Sequence, residues 1–239
     1  MEKLFPLERR VAKVVRPVLS RVMSLPLPGD DVFKAGEGFY GRIEGVRRVL
    51  IDPDITSARL VMNLEKMVVA EARRTYTYLG LFGYSVDAAI VNRIIPDAVT
   101  DPYFKRWREV QAEHLETVQE AFADLSLLRL RLFDEEMVGI DKLRILAEEL
   151  YEDLDPTDRL ATNTPFRVFE DGHEVVLGLF LPFAEKGGID VMRHGDEIYI
   201  TVGPYRRSLV LPDSLRRREI SGAKLVEREL WVRFGVRHG

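Results

Sequence analysis

Asn92 is the residue that the sequence places best for recognising a ligand. It follows an apolar run, residues 88–91, of the kind found in strands that are buried on both faces. Parallel sheets bind ligands at the carboxyl ends of their strands, and a carboxamide offers both a donor and an acceptor, as the edge of adenine requires. Asparagine also ends strands by forming turns, and the residues alone do not decide between the two interpretations.

A glycine motif, G-x-G-x-x-G, occurs at Gly36, Gly38 and Gly41. A dinucleotide-binding loop with this motif follows a buried strand directly, but the preceding residues, PGDDVFKA, do not form one. We therefore expect a loop that leads into a helix and binds no cofactor. The phosphate-binding motif G-x-x-x-x-G-K-[ST] is absent from the whole sequence, so the chain lacks the usual source of phosphate contacts.

Other groups that could do chemistry are scattered or have simpler explanations. Cysteine is absent, which excludes disulfides, thiolate metal sites and cysteine nucleophiles, and the four histidines have no metal-ligand spacing. Glu135 and Glu136 beside Asp134 could act as catalytic carboxylates, but a charged loop is the simpler interpretation. The net charge of −4 provides no general attraction for nucleic acid, and we expect none to bind.

The elements that would position Asn92 alternate between strands and helices. Strands are predicted at residues 57–63, 87–95 and 125–133, and helices at 65–83, 103–123 and 139–151, with Gly83 ending the first of these helices. Helical periodicity also covers much of residues 1–50, interrupted at 24–31 by two prolines and a glycine. The alternation predicts an α/β fold with a partial parallel sheet covered by helices.

The hydrophobic period changes after residue 163. The preceding segment is polar and contains prolines, so we expect a linker at residues 154–163. About seven short strands follow, separated by turn signals at Gly172, Gly195 and Gly203, which predicts a small all-β sandwich at 164–239. The first predicted domain is then residues 1–153, including the helical region 1–50.

The first 24 residues are basic and amphipathic. Such a segment can lie on a membrane or serve as a transit peptide, but Pro6 and Pro17 interrupt it, and a helix packed on its own protein is the simpler interpretation. The sequence contains no run of the ~18 apolar residues that a membrane span requires. We expect no membrane association and a cytoplasmic location, with which the absence of cysteine agrees.

Three ordered segments carry a family resemblance. They are VMNLEKMVVAEARRTYTYLGLFGYSVDAAIVNRIIP, PYFKRWREVQAEHL and LLRLRLFDEEMVGIDKLRILAEELY. Together they resemble the C-terminal half of the ArsA family, which includes the arsenical pump-driving ATPase and the ATPase that targets tail-anchored proteins. The segment GAKLVERELWVRF, residues 222–234, resembles the closing strands of the small heat-shock (α-crystallin) sandwich that some bacterial members carry.

The resemblance implies an ATP site of which this chain holds one part. In the family an asparagine at the position of Asn92 contacts adenine, and the loop corresponding to Arg131, Leu132 and Phe133 wraps the base. Many members have proline where Arg131 stands. The phosphate loop and the Mg²⁺-binding residues belong to the family's N-terminal half, so we expect ATP to bind weakly or not at all, and no hydrolysis by this chain alone. The cysteine pair that binds zinc at a dimer interface in eukaryotic members has no counterpart here.

Two hypotheses of different classes describe the function. In the first, the chain is part of an ArsA-like ATPase, and a second copy or a companion chain with the phosphate loop covers the open edge of its sheet. A protein cargo is compatible with this hypothesis. In the second, the chain is a non-enzymatic protein-binding or chaperone-like module that works through its β-sandwich, although a fold alone does not establish such an activity.

Overall fold

The computed structural model describes residues 30–236, with side chains from residue 35 onward. The chain divides into two compact units, Met1–Val49 and Leu50–Gly239. The helices are α1 (Asp30–Ile51), α2 (Lys66–Phe82), α3 (Pro102–Ala121), α4 (Ile140–Tyr151) and the short α5 (Asp213–Arg216). The strands are β1 (Ala58–Asn63), β2 (Val86–Ile94), β3 (Ser126–Arg131), β4 (Phe166–Asp171), β5 (Glu174–Phe180), β6 (Ile189–His194), β7 (Glu197–Val202), β8 (Tyr205–Val210), β9 (Arg218–Val226) and β10 (Glu229–Val236).

The described part of the first unit is helix α1, and it corrects one prediction. Gly36, Gly38 and Gly41 lie inside this helix rather than in a loop before it. Glycine costs a helix only about 1 kcal/mol, and the neighbouring residues favour helix, with an ion pair of 3.4 Å between Glu44 and Arg47 one turn apart. The glycine motif therefore forms no phosphate-binding turn. The predicted basic helix within residues 1–24 lies outside the described residues.

The second unit begins with a parallel sheet of three strands in the order β1-β2-β3. Helices α2 and α3 connect consecutive strands, so each connection is a β-α-β crossover. The strand β2 is central and buried along residues 86–91, as expected for a strand that is covered on both faces. Within the described range, β1 and β3 each have a strand on one side only, and Val61 of β1 is 61% exposed.

Each face of this sheet packs against different helices. On one face the side chains of α2 and α3 form a core with the sheet that includes Leu60, Met62, Tyr76, Val91 and Phe122. On the other face a smaller cluster joins the sheet to α4 and consists of the buried residues Ile90, Leu128, Leu130 and Leu150. Neighbouring residues of a strand point to opposite faces, so this division fixes the side to which each residue of β1 and β2 points.

The antiparallel strands form a sandwich of two sheets. One sheet has the order β4-β5-β10-β9 and the other β6-β7-β8. Their inner faces share one core, in which Leu179, Ile198, Ile200, Val232 and Phe234 are fully buried or nearly so. The seven predicted strands and the predicted turn at Gly172 are confirmed, since Gly172 has a φ of +64° between β4 and β5.

Helix α2 packs directly on the sandwich, and two glycines permit the close approach. A Cβ atom at Gly80 would lie 2.3 Å from the backbone oxygen of Phe180 in β5. Gly83 ends the helix with a φ of +86°, as predicted, and the ring of Phe166 lies against it. The buried guanidinium of Arg207 stacks 4.3 Å from that ring and donates to the carbonyl of Leu81, where the helix C-terminus favours a positive charge.

A polar cluster around the buried Tyr76 makes a second junction between the sheet layer and the sandwich. The hydroxyl of Tyr76 donates to Asp124, which also pairs with Arg228 from the turn between β9 and β10. Burial, followed by the hydrogen bond to Asp124, raises the pKa of Tyr76 well above its usual value, so this phenol stays neutral. Asn163 donates to the Tyr76 hydroxyl at 3.2 Å and to the Val86 carbonyl at 2.7 Å.

None of the helices in the described part of the chain is long and apolar enough to cross a membrane.

Gly80→Ala is expected to destabilise the protein by about 1–3 kcal/mol, because the new methyl group would force α2 away from β5. Helix propensity alone favours the opposite sign by about 1 kcal/mol. The free energy of unfolding in urea measures the effect. Gly45→Ala in α1 is the matched control, since nothing lies within 4 Å of its Cβ position, and it should be neutral or slightly stabilising. Equal effects of the two substitutions would contradict the close packing of α2 on the sandwich.

Candidate functional site

Asn92 lies near the carboxyl end of β2, where the pairing with β3 is interrupted. Val91 pairs with Arg129, and the next paired residue of β2 is Ile94, opposite Arg131. Two residues of β2, Asn92 and Arg93, therefore stand opposite one residue of β3, which is the geometry of a β-bulge. Bulges reorient side chains at the ends of strands and are common beside active sites.

The bulge holds Asn92 in one orientation. Arg93 has a φ of +59°, a conformation that costs a non-glycine residue about 1–2 kcal/mol. The backbone N–H of Arg93 donates to Oδ1 of Asn92 at 2.9 Å, so this N–H has a hydrogen-bond partner within the turn. Because a backbone N–H can only donate, the atom facing it must be the carbonyl oxygen of Asn92. The Nδ2 group of Asn92 remains as a donor, and it makes no hydrogen bond within the described residues.

Gln111 of α3 stabilises the same turn from the helix side. Its Oε1 accepts from the N–H of Ile95 at 2.9 Å, and its Nε2 donates to the carbonyl of Arg93 at 3.2 Å. One side chain thus binds the backbone on both sides of Ile94. Sequence reasoning missed Gln111. The available signal was its position one turn before Leu115 and two turns before Val118, on the stripe of α3 that packs on the sheet.

The loop after β3 forms the neighbouring wall of this edge. The N–H of Leu132 donates to the carbonyl of Ile94 at 2.7 Å, which holds residues 131–133 next to the bulge. Arg131 forms an ion pair of 2.9 Å with Glu149 of α4 and stacks 4.5 Å from the ring of Phe133. The Arg131 guanidinium is therefore held against the protein. The predicted strand ended at residue 133, but β3 ends at Arg131, so Leu132 and Phe133 belong to the loop.

Asn63, at the end of β1, is a second carboxamide at this edge that sequence reasoning missed. It is the register partner of Asn92, and neighbouring strands lie about 4.8 Å apart. Met62 and Val91, one residue before each asparagine, both belong to the core with α2 and α3. By alternation, Asn63 and Asn92 point to the opposite face, the one that α4 partly covers. Within the described residues the side chain of Asn63 makes no hydrogen bond.

The edge has groups that fit a base. Amide donors and an aromatic ring suit the flat, hydrogen-bonding edge of a purine. In the part of the chain that the structure describes, no three His, Asp or Glu side chains are grouped to hold a metal ion. Glu135, one of the carboxylates considered as catalytic, forms an ion pair with Lys142 in an exposed loop.

A hollow lies on the outer face of the sheet β6-β7-β8. It has a volume of about 740 Å³ and is lined by Met192, Arg193, His194, Tyr199, Arg206 and Ser208. The Arg193 guanidinium donates to the backbone carbonyls of Gly195, at 2.9 Å, and Arg216, at 2.8 Å. Arg206 stacks on the ring of Tyr199 at 4.5 Å. Both guanidinium groups of the hollow are thus engaged in contacts within the protein, so the carboxyl edge of the parallel sheet is the better candidate site.

Comparison with known proteins agrees with both parts of the fold. The anion-transporting ATPase family model matches residues 1–152, and the model of an HSP20-like domain found in ArsA proteins matches residues 172–234. A protein of Aquifex aeolicus named as an arsenical pump-driving ATPase is 35% identical over 97% of this chain. One from Prosthecochloris vibrioformis with the same description is 32% identical over 93% of the chain.

A more distant relative is the ATPase GET3 of Candida tropicalis, which is 22% identical over 65% of the chain. The alignments cover 60%, 56% and 46% of the Aquifex, Prosthecochloris and Candida proteins, respectively. The chain thus spans about half to three fifths of the length of these relatives. The family match extends over well more than half of the chain, and the parallel sheet and the sandwich lie where the two family models place their domains. The chain therefore belongs to the anion-transporting (ArsA) ATPase family and carries the HSP20-like domain found in that family.

Proposed function

We propose that this chain supplies the base-binding part of an ATP site and does not hydrolyse ATP by itself. The observation that supports this proposal is the fixed orientation of Asn92, whose Oδ1 is bonded to the Arg93 N–H while Nδ2 is left to donate. Adenine presents ring-nitrogen acceptors to such a donor. The loop of Arg131, Leu132 and Phe133 would form the side of the base pocket, with Leu132 and Phe133 offering apolar surface.

The groups that bind the phosphates would come from another polypeptide segment or chain. Phosphoryl transfer depends almost entirely on positioning the phosphates and neutralising their charge, and the sequence has no phosphate-binding loop. ATP hydrolysis with Mg²⁺ would thus require a segment or companion chain that brings this loop to the carboxyl edge of the sheet. Base contacts alone give low affinity, so we expect ATP to bind this chain only weakly.

The open edge of β1 is where we propose that this segment or chain attaches. An unpaired strand edge presents free backbone N–H and C=O groups that readily pair with another strand, and the exposed Val61 adds apolar surface beside it. A second copy of the chain could occupy the edge in the absence of the natural partner. By the same family relation we propose a cytoplasmic, dimeric ATPase with a protein cargo, in which residues 1–153 and 164–239 act as domains joined by 154–163.

Asn92→Ala and Asn92→Asp separate base binding from a purely structural role of this residue. Aspartate can still accept the Arg93 N–H bond and keep the turn, but it cannot donate to a base. We expect both variants to weaken binding of ATP, AMP and adenosine by about tenfold, the net value of one good hydrogen bond. In the parent chain the three ligands should bind with similar dissociation constants, because only the base is contacted.

Calorimetry or ligand-detected NMR at millimolar ligand measures these constants, and melting temperatures of the variants check the fold. Gln119→Ala, an exposed amide on α3, is the matched control and should bind like the parent chain. If Asn92→Asp binds as well as the parent chain, Asn92 only shapes the turn and the proposed base contact is wrong. Much tighter binding of ATP than of adenosine would contradict the absence of phosphate contacts.

Val61→Lys is expected to reduce self-association of the isolated chain, because a charge beside an open strand edge disfavours pairing with another copy. Light scattering and sedimentation at a series of protein concentrations measure the association. Val210→Lys on β8 is the matched control, since Val210 is a valine of similar exposure, 58%, on an edge strand of the sandwich. A parent chain that stays monomeric at all concentrations, or an effect of Val210→Lys alone, would contradict attachment at the β1 edge.

A further inference from the structure

Gln111 of α3 bonds the backbone on both sides of Ile94, directly after the Asn92 bulge. It accepts from the N–H of Ile95 at 2.9 Å and donates to the carbonyl of Arg93 at 3.2 Å. A carboxamide is suited to this task because it carries one acceptor and two donors on a single planar group. Glutamate, methionine or leucine at this position could not make both contacts.

The turn that Gln111 holds is strained, so it needs such support. Arg93 adopts a left-handed conformation with φ of +59°, which bulky residues rarely adopt without compensating contacts. The compensation comes from two sides: Asn92 Oδ1 accepts the Arg93 N–H, and Gln111 donates to the Arg93 carbonyl. Without the helix-side contact, the backbone at Arg93 would be free to relax toward an ordinary strand conformation.

Relaxation of this turn would change what Asn92 presents to a ligand. In the strained turn Oδ1 is bonded to the backbone, so only the Nδ2 donor faces outward. In a relaxed strand the Arg93 N–H would move away, and the Asn92 amide could rotate by 180° to present either its oxygen or its nitrogen. A donor that is fixed in place binds only an acceptor on the ligand. An amide that can rotate binds either a donor or an acceptor.

We infer that Gln111 is a positioning residue that fixes Asn92 as a hydrogen-bond donor, and that the site therefore selects a purine with a ring-nitrogen acceptor facing this edge. The inference rests on the proposed base-binding function and assigns its selectivity to a residue on α3. The Gln111 amide is bonded to the backbone of Ile95 and Arg93, so its effect on a ligand would be indirect, through Asn92.

Binding of adenine nucleotides that lack one ring nitrogen tests this selectivity directly. The ligands are AMP and its 1-deaza, 3-deaza and 7-deaza analogues, each with a C–H group in place of one acceptor. We expect the parent chain to bind one analogue about tenfold more weakly than AMP and the other two nearly as well as AMP, because one fixed donor contacts one ring nitrogen.

In Gln111→Ala the ratio of the dissociation constants of the weaker analogue and AMP should fall below about threefold, because an Asn92 amide that can rotate no longer requires that acceptor. Gln111→Glu keeps an acceptor for Ile95 but loses the donor to Arg93, so it should show the same loss of selectivity, and it decides the question if Gln111→Ala binds too weakly to measure. Gln119→Ala on the same helix is the control and should keep the parent selectivity. The full-length chain is used throughout, and melting temperatures report its fold.

The outcomes distinguish this inference from the proposed function. If the Gln111 variants bind AMP more weakly but keep the parent ratio between AMP and the analogue, Gln111 contributes only stability and the inference is wrong. Parent affinity and parent ratio in both variants would overturn it as well. If instead the parent chain binds neither AMP nor its analogues, or Asn92→Asp has no effect, the base-binding function itself fails and the inference fails with it.

Discussion

The buried ion pair between Arg59 and Asp87 is the constraint from which the arrangement of the parallel sheet follows. The Asp87 side chain is completely buried, and it accepts from Arg59 Nε at 3.2 Å and from Ser57 Oγ at 2.9 Å. Such a carboxylate is tolerated only when charge and hydrogen bonds compensate for the lost water. The contacts of Asp87 with residues 57–59 fix the alignment of β1 with β2, and the alignment in turn makes Asn63 and Asn92 neighbours at the opposite end.

The same ion pair orders the segment that leads to the sandwich. Arg59 also donates to the Tyr151 hydroxyl at 3.1 Å and to the Asp158 carbonyl at 3.0 Å, while Asp87 accepts from the N–H of Leu160 at 3.2 Å. Burial opposes the charge of Arg59, but its bonds to Asp87 and Tyr151 outweigh that effect and raise its pKa further. The polar segment at 154–163 is therefore attached to the sheet along its length, and it leads into the cluster of Tyr76 and Asn163.

The sequence predicted the elements well because its patterns are local. The run at residues 88–91 indicates a buried strand, and the turn at Gly172 indicates a hairpin, without knowledge of any partner. The glycine motif at 36–41 was predicted wrongly, since helix-favouring neighbours outweighed its glycines. The role of Gln111 could not be predicted in this way, because its two bonds depend on a bulge that forms only when β2 pairs with β3.

The proposed function separates recognition of a base from chemistry on its phosphates. The described edge contains amides, an aromatic ring and backbone groups, which are suited to a flat neutral ligand. Such contacts distinguish bases but contribute little affinity, whereas phosphate contacts contribute affinity without distinguishing the base. If the two tasks are divided between two polypeptide segments, as proposed, nucleotide would bind firmly only when both segments meet. Helix α2 lies directly against the sandwich, because a Cβ atom at Gly80 would contact the Phe180 backbone and Arg207 donates to the Leu81 carbonyl. We therefore expect a displacement of α2 to displace the sandwich as well.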